Sequence, residues 1–388
     1  MKVAFINSVY PYGSTGRIVK NLANFVERKG GQAKIFYGRG EKSEGLLQSN
    51  FSLYINAFKS RIFGKEGLRC GKNTQKLING LKDFNPDVIH LHNLHGYYLN
   101  YEILFDFLRK FGKKVIWTLH DEWAFTGHCA CFTEEECDKY KNGCKNCTRK
   151  KVYPKSFFDS VEKNYLRKLK AFSLCENLQI VTPSKWLYGI IKNSFLSDKK
   201  VCVINNGINI ETFNCYESDF RQKYDLLEKK LILGVSYWWV KDKGVDFFNK
   251  LACDLPDEYK IVLVGQKRVD LNEKILLIPK TENQNELAKI YSACDIFVNP
   301  SLFENYPTVN LEALSCGLPV ITFSTGGSGE MINSFNGHVV SKGDYNALKK
   351  AILDLTGSFD REKIKQDANR FSNKIFCEKY YRLYNEQK

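Results

Sequence analysis

The sequence predicts an α/β protein built from two doubly wound, parallel-sheet halves. Three observations predict it: short apolar runs alternate with amphipathic stretches along the chain, glycine-bearing loops follow several of those runs, and 388 residues are enough for two cores. Strands separated by helix-sized segments imply parallel pairing, because a parallel neighbour is reached only through a crossover. A hydrophobic content of 43% with 26% charged residues is ordinary for a globular chain and leaves no room for extensive disorder.

In chain order, Lys2–Ile6 is a buried strand, Asn7–Arg17 a glycine-bearing loop and Ile18–Val26 the start of an apolar-periodic helix. Gly13 and Gly16 let the backbone approach a ligand or simply turn, and Arg17 stands where an anion would dock on a helix start. Ala33–Tyr37 is the second strand. Ser43–Gly71 is assigned no element; its scattered aromatic and basic residues suit a flap. A helix over Asn73–Phe84 precedes the strand Asp87–Leu91, whose end carries histidines at 90, 92 and 95 around Asn93. Lys114–Leu119 is the next strand and again delivers a polar tip, His120-Asp-Glu-Trp123. Two successive strands ending in histidine at one rim suit a ligand site, since open α/β sheets bind ligands at the carboxyl ends of strands. Each histidine equally suits a core position with a backbone partner.

Thirteen cysteines occur, five of them between Cys129 and Cys147. Cys144 and Cys147 form a C-x-x-C knuckle; with Cys129 or Cys131 and with Cys137 they make up the four thiolates of a tetrahedral zinc site. The spacing is shorter than in common zinc ribbons, so plain reduced thiols and a redox pair stay open beside structural zinc. An amphipathic stretch over Phe157–Phe172, a strand at Leu178–Val181, a helix start at Pro183 and Ser184 and a last strand at Val201–Ile204 close the half.

The second half repeats the rhythm with strands at Leu231–Val235, Ile261–Val264 and Asp295–Val298. Lys241 and Lys243 follow the first of these, where lysines clamp phosphates or decorate a solvated loop. The stretch from Pro300 to Thr322 joins a strand end, a helix opened by Pro307 and closed by Gly317 and Pro319, and two carboxylates, Glu304 and Glu312. Glu312 lies about 7–8 Å along the axis from Pro307, roughly the span from a diphosphate to a ribose. A helix start with unpaired N–H groups suits the diphosphate, while the carboxylates suit hydroxyls; two acids on a solvated helix are the plainer alternative. Thr325–Glu330 is a bare-backbone loop, and Phe371–Tyr384 is helical with an aromatic stripe. Domains are expected at 1–205, with a cysteine-rich insertion at 128–147, and at 206–370, with 371–388 returning to the first.

No window reaches the roughly 18 apolar residues of a membrane span, and the N-terminal apolar run is short for a signal peptide, so a cytoplasmic protein is expected. The formal charge of +15 suits an anionic partner: nucleic acid, acidic lipid or phosphorylated substrates. The basic and aromatic residues form no base-stacking pattern. Nucleic acid is therefore not expected, and peripheral contact with anionic membrane is.

On Gly13–Arg17, Thr182-Pro-Ser184, Asn206-Gly207, Lys243-Gly244, Gly265, the E-x7-E pair Glu304 and Glu312, and Thr325–Glu330, the chain resembles family 4 glycosyltransferases over nearly its whole length. Ile89–Gly96 and Thr118–Cys129 look most like the bacterial colanic acid and capsule subgroup. The resemblance implies a GT-B fold: two Rossmann-like domains facing a central cleft, with a C-terminal helix returning to the first. It implies retaining transfer of a hexose-type sugar from a nucleotide-diphosphate donor (a UDP-sugar first, GDP-mannose next) to a glycan or lipid-linked acceptor, with no metal in the chemistry.

By the same resemblance, the catalytic residues are His120, Glu304 and Lys243. Donor contacts fall on Gly16, Arg17, Lys241, Arg268, Asn305, Tyr306, Pro307, Thr308, Glu312, Gly326 and Gly327, and acceptor contacts on His92, Asn93 and His95. Many members carry an arginine shortly before the lysine. Here Tyr237, Trp238 and Trp239 stand in that region, which leaves Lys241 or Arg268 as the second phosphate clamp. A nucleotide-sugar epimerase of the same architecture and a basic acidic-polymer binder are the rival readings.

Overall fold

The computed structural model describes residues 1–131, 137–149, 151, 153–355 and 359–386. The chain divides into two compact units, residues 1–205 with 377–388 and residues 206–376. The first contains β1 (Lys2–Tyr10), α1 (Gly13–Arg28), β2 (Gln32–Gly40), α2 (Asn50–Phe63), α3 (Gly71–Phe84), β3 (Val88–Leu91), α4 (Tyr101–Phe111), β4 (Lys114–Thr118), α5 (Val161–Ser173), β5 (Leu178–Thr182), α6 (Lys185–Ile191) and β6 (Lys200–Val203). The second contains α7 (Phe220–Lys223), β7 (Lys230–Trp239), α8 (Val245–Asp254), β8 (Tyr259–Lys267), β9 (Leu276–Ile278), α9 (Gln284–Ala293), β10 (Ile296–Asn299), α10 (Thr308–Ser315), β11 (Val320–Phe323), β12 (Gly337–Val340), α11 (Tyr345–Leu355) and α12 (Arg361–Ala368). The last helix, α13 (Asn373–Asn385), begins in the second unit and ends in the first.

Both sheets are parallel and six-stranded, in the orders β2-β1-β3-β4-β5-β6 and β12-β11-β10-β7-β8-β9. The central strands are apolar on both faces because helices cover both: Val3 to Ile6, Val115 to Trp117 and Ile296 to Val298 are all buried. Strand order reverses between β1 and β3 in the first unit and between β7 and β10 in the second. At such a switch point the loops leaving the two strands run in opposite directions and open a crevice at their carboxyl ends.

Two expectations need correction. Ser43–Gly71 is not an unstructured flap but carries α2. Its amino end is capped by Ser49 Oγ, which accepts the Ser52 N–H, and Gly64 ends it in the left-handed conformation. The expected returning segment 371–388 is divided: Phe371 packs in the core of the second unit, and Ile208 N–H donates to its carbonyl at 2.8 Å, so the division falls at Cys377.

Candidate active site

In the second unit, the loops leaving β7, β10 and β11 are stitched together by backbone. Leu302 N–H donates to Asp242 O at 2.9 Å, Gly327 N–H to Asn305 O at 2.8 Å, and Thr325 Oγ1 to Ser301 O at 3.0 Å. Two glycines permit this approach. Gly244 (φ +73°) and Gly326 (φ +55°) are left-handed, and a Cβ would stand 2.2 Å from Pro300 O at the first and 1.7 Å from Glu304 O at the second.

The stitching brings together Lys243, Glu304, Asn305, Gly326 and Gly327. Lys243 Nζ donates to Glu304 Oε1 at 2.5 Å, so the expected phosphate clamp and the expected sugar-hydroxyl holder pair with each other here. Pro307 is the residue before α10 rather than within its first turn, and the helix amides start at Thr308 with no side-chain cap. Five residues into the helix, Glu312 is buried and its Oε2 accepts the Tyr291 hydroxyl at 3.0 Å. Burial and the Glu312 carboxylate together hold the Tyr291 phenol well above its ordinary pKa, so it stays a donor. Tyr306, expected among the donor contacts, is instead a buried member of the core.

Lys241 is exposed in the turn after β7, and Arg268 lies with its guanidinium 3.7 Å over the Trp238 ring. Trp238, in the region where the resemblance implies an arginine, therefore holds one that directly follows the neighbouring strand β8. Beneath the loops lies a layer the sequence reading missed: Asn299 Nδ2 donates to Asn310 Oδ1 at 2.8 Å, and both are buried. An asparagine closing the apolar run Ile296–Val298 was its one visible signal.

In the first unit, Asn7 is buried in the carboxyl half of β1; its amide donates to Val9 O at 2.8 Å and its Oδ1 accepts Asn93 N–H at 3.2 Å. That ties β1 to the histidine loop after β3; the expected loop Asn7–Arg17 is shorter than predicted, since β1 runs to Tyr10 and Gly16 and Arg17 lie near the start of α1. Gly16 is buried and Arg17 exposed.

The histidines take separate roles. His90 is a core residue bonded to Tyr384 and Thr118, both at 2.8 Å. His92 is 1% exposed, so it lies behind the surface rather than at an acceptor-facing position, and its Nδ1 meets His120 Nε2 at 3.0 Å with the rings stacked. Burial lowers the His120 pKa to about 4 and holds that of His92 well below its ordinary value, so both imidazoles are neutral at pH 7. His95 differs. Burial pulls its pKa down, but the Asp121 carboxylate, at 2.7 Å from Nε2, lifts it above the ordinary value. His95 Nδ1 lies 2.9 Å from the Tyr153 hydroxyl. Asp121, which the sequence showed only as part of the polar tip after β4, and Tyr153 received no role there, because a lone acid and a lone tyrosine carry no spacing signal.

Among the described residues no group of three or more His, Cys, Asp or Glu side chains is placed to hold a metal ion. A hydrogen bond between the Cys129 and Cys147 side chains raises the pKa of the first thiol and lowers that of the second to about 6, while Cys144 Sγ accepts Gly127 N–H at 3.3 Å. Residues 132–136 of the expected insertion lie outside the described residues.

Two parallel-sheet units, each with polar loops at its switch point, make a doubly wound α/β architecture, and the comparisons supply its family. The profile of Glycosyltransferase Family 4 matches residues 15–212 and that of Glycosyl transferases group 1 matches residues 229–358. The chain belongs to glycosyltransferase family 4 and has the GT-B fold.

It is 28% identical to the putative colanic acid biosynthesis glycosyl transferase WcaC of Escherichia coli K12, over 79% of this chain and 78% of that one. To the UDP-Gal:alpha-D-GlcNAc-diphosphoundecaprenol alpha-1,3-galactosyltransferase of Escherichia coli it is 28% identical, over 43% of this chain and 48% of that one. HepE of Anabaena, solved in complex with UDP, superposes with a TM-score of 0.65 at 14% identity, covering 99% of each chain.

Proposed function

We propose that this glycosyltransferase moves a hexose-type sugar, with retention, from a nucleotide-diphosphate donor to a glycan or lipid-linked oligosaccharide in bacterial surface polysaccharide synthesis. A UDP-sugar is the first choice of donor and GDP-mannose the second. The observation that carries the reading is the convergence of Lys243, Glu304 and the uncapped start of α10 at the β7/β10 switch point. Support also comes from the similar galactosyltransferase whose name gives a UDP-sugar donor and a diphosphoundecaprenol-linked acceptor.

In this reading the leaving diphosphate carries the developing charge. Lys243, Arg268 held over Trp238, and the first amides of α10 stabilise it, the kind of fixed electrostatic term that dominates such transfers. The donor takes Lys243 over from Glu304, leaving the carboxylate for sugar hydroxyls. Glu312, oriented by Tyr291, accepts from the ribose. His120, neutral and oriented by His92, is the catalytic candidate of the first unit, and Asn93 and His95 are its acceptor candidates. The protein works in the cytoplasm against the inner face of the membrane.

A thermal-shift panel of UDP-, GDP- and TDP-sugars tests the reading. A donor at a hundred times its dissociation constant stabilises the fold by about 2.7 kcal/mol. No shift with any of them overturns it, and an isomerised donor formed without acceptor would make the protein an epimerase.

A further inference from the structure

Helix α2 is amphipathic in the wrong sense for a surface helix. Phe51, Tyr54, Ile55 and Phe58 fall at the i, i+3, i+4 and i+7 spacing of one helical face, and that face points outward. Phe51, Tyr54 and Phe58 are between 62% and 75% exposed. The other face carries Asn56, which donates to Gln48 and Ser52, and Ser60, the one buried residue of the helix. A helix normally turns its apolar stripe to the core because that burial is what stabilises it. Here the more polar stripe is inside, so the aromatic one is left for something else.

The stripe does not stand alone. Phe157 N–H donates to Arg61 O at 2.9 Å and Asn164 Nδ2 to Gly64 O at 2.8 Å, which sets the loop before α5 against the end of α2. That loop adds Phe157 and Phe158, also exposed. An apolar patch of this extent on a soluble surface marks an interaction site.

Charge selects the occupant. Lys59 on α2, Lys65 just after it and Lys155 two residues before Phe157 are exposed, as is Arg61, whose side chain also bonds Tyr97. Against them, Glu66 is held by Gly96 N–H and has its pKa raised by burial, and Asp159 is the exposed acid. Aromatic side chains flanked along the chain by lysine and arginine match the interface of an anionic bilayer, where rings enter the acyl boundary and cations meet the headgroups.

We propose that the outward face of α2, with Phe157 and Phe158, is the surface by which this protein docks on anionic membrane. The proposal deepens the lipid-linked acceptor reading, and none of the residues it uses is one given a role in transfer.

The test is co-sedimentation of the full chain with vesicles of equimolar phosphatidylcholine and phosphatidylglycerol, against phosphatidylcholine alone. Binding to the anionic vesicles is expected to fall at least about tenfold in F51S/Y54S/F58S. Lys59→Ala and Lys155→Ala should each cost about fivefold, the equivalent of roughly 1 kcal/mol per surface cation. A Phe58→Trp variant should show a blue-shifted emission on adding anionic vesicles. Triple-variant binding equal to wild type, or no emission shift, overturns the proposal. So does loss, in the triple variant, of a concentration-dependent dimer without any vesicle binding, which would assign the face to a second copy of the chain. Donor-induced thermal stabilisation, measured on the same variants, is expected unchanged; it reads the transferase proposal separately, so failure of one is not failure of the other.

Discussion

Lys243 and Glu304 meet across 61 residues of sequence at 2.5 Å, with the carboxylate the more buried of the two partners. If Lys243 stabilises the leaving diphosphate, Lys243→Ala lowers turnover by about a hundredfold or more, the scale of losing one charge-stabilising donor. Single-turnover measurement checks it, and near-normal turnover would remove Lys243 from the site. Glu312 acts on the ground state instead, so Glu312→Gln should weaken nucleotide affinity by about tenfold while leaving turnover at saturating donor within a few-fold, a split that titration against steady-state kinetics resolves. Both carboxylates were legible because a proline-opened helix fixes their spacing within one short stretch. Tyr291, which orients Glu312, was not, because it arrives from α9 and only packing brings the two together.

The helices and loops set how closely these groups approach. Gly326 is the clearest case: its left-handed φ and the absent Cβ let the Thr325–Ser328 loop lie on Glu304 and Asn305. Gly326→Ala should destabilise the fold by about 2–3 kcal/mol through overpacking against a backbone carbonyl, read as a lower denaturant midpoint. The bare-backbone character of Thr325–Glu330 was visible in the sequence, but its partner loop was not. Helix α2 was missed for a related reason. A periodicity search takes the apolar stripe of a helix as its core face, and the residues of α2 that obey the period face outward.

In the molecule as a whole, the first unit carries a built-in acid sensitivity. His90, His92 and His120 all have pKa values lowered by burial, that of His120 to about 4. Between the ordinary histidine pKa near 6.5 and about 4, the unfolded chain therefore binds more protons than the folded one, and stability falls as pH drops through that window. His95, raised by Asp121, works oppositely and loses its contribution as pH rises through its folded pKa. The thermal midpoint should thus be lower at pH 5 than at pH 7, and His120→Gln should flatten the difference; an unchanged slope would exclude His120 as a source.

The sequence by itself determined the alternation of strands and helices, the two-unit plan and the E-x7-E helix start, since each depends on the period or spacing of neighbouring residues. Tertiary structure alone decided which histidines are core, which pair Lys243 makes, that Trp238 holds Arg268, and that the aromatic stripe of α2 is left uncovered. Those facts depend on which residues, distant along the chain, are packed face to face when each sheet closes.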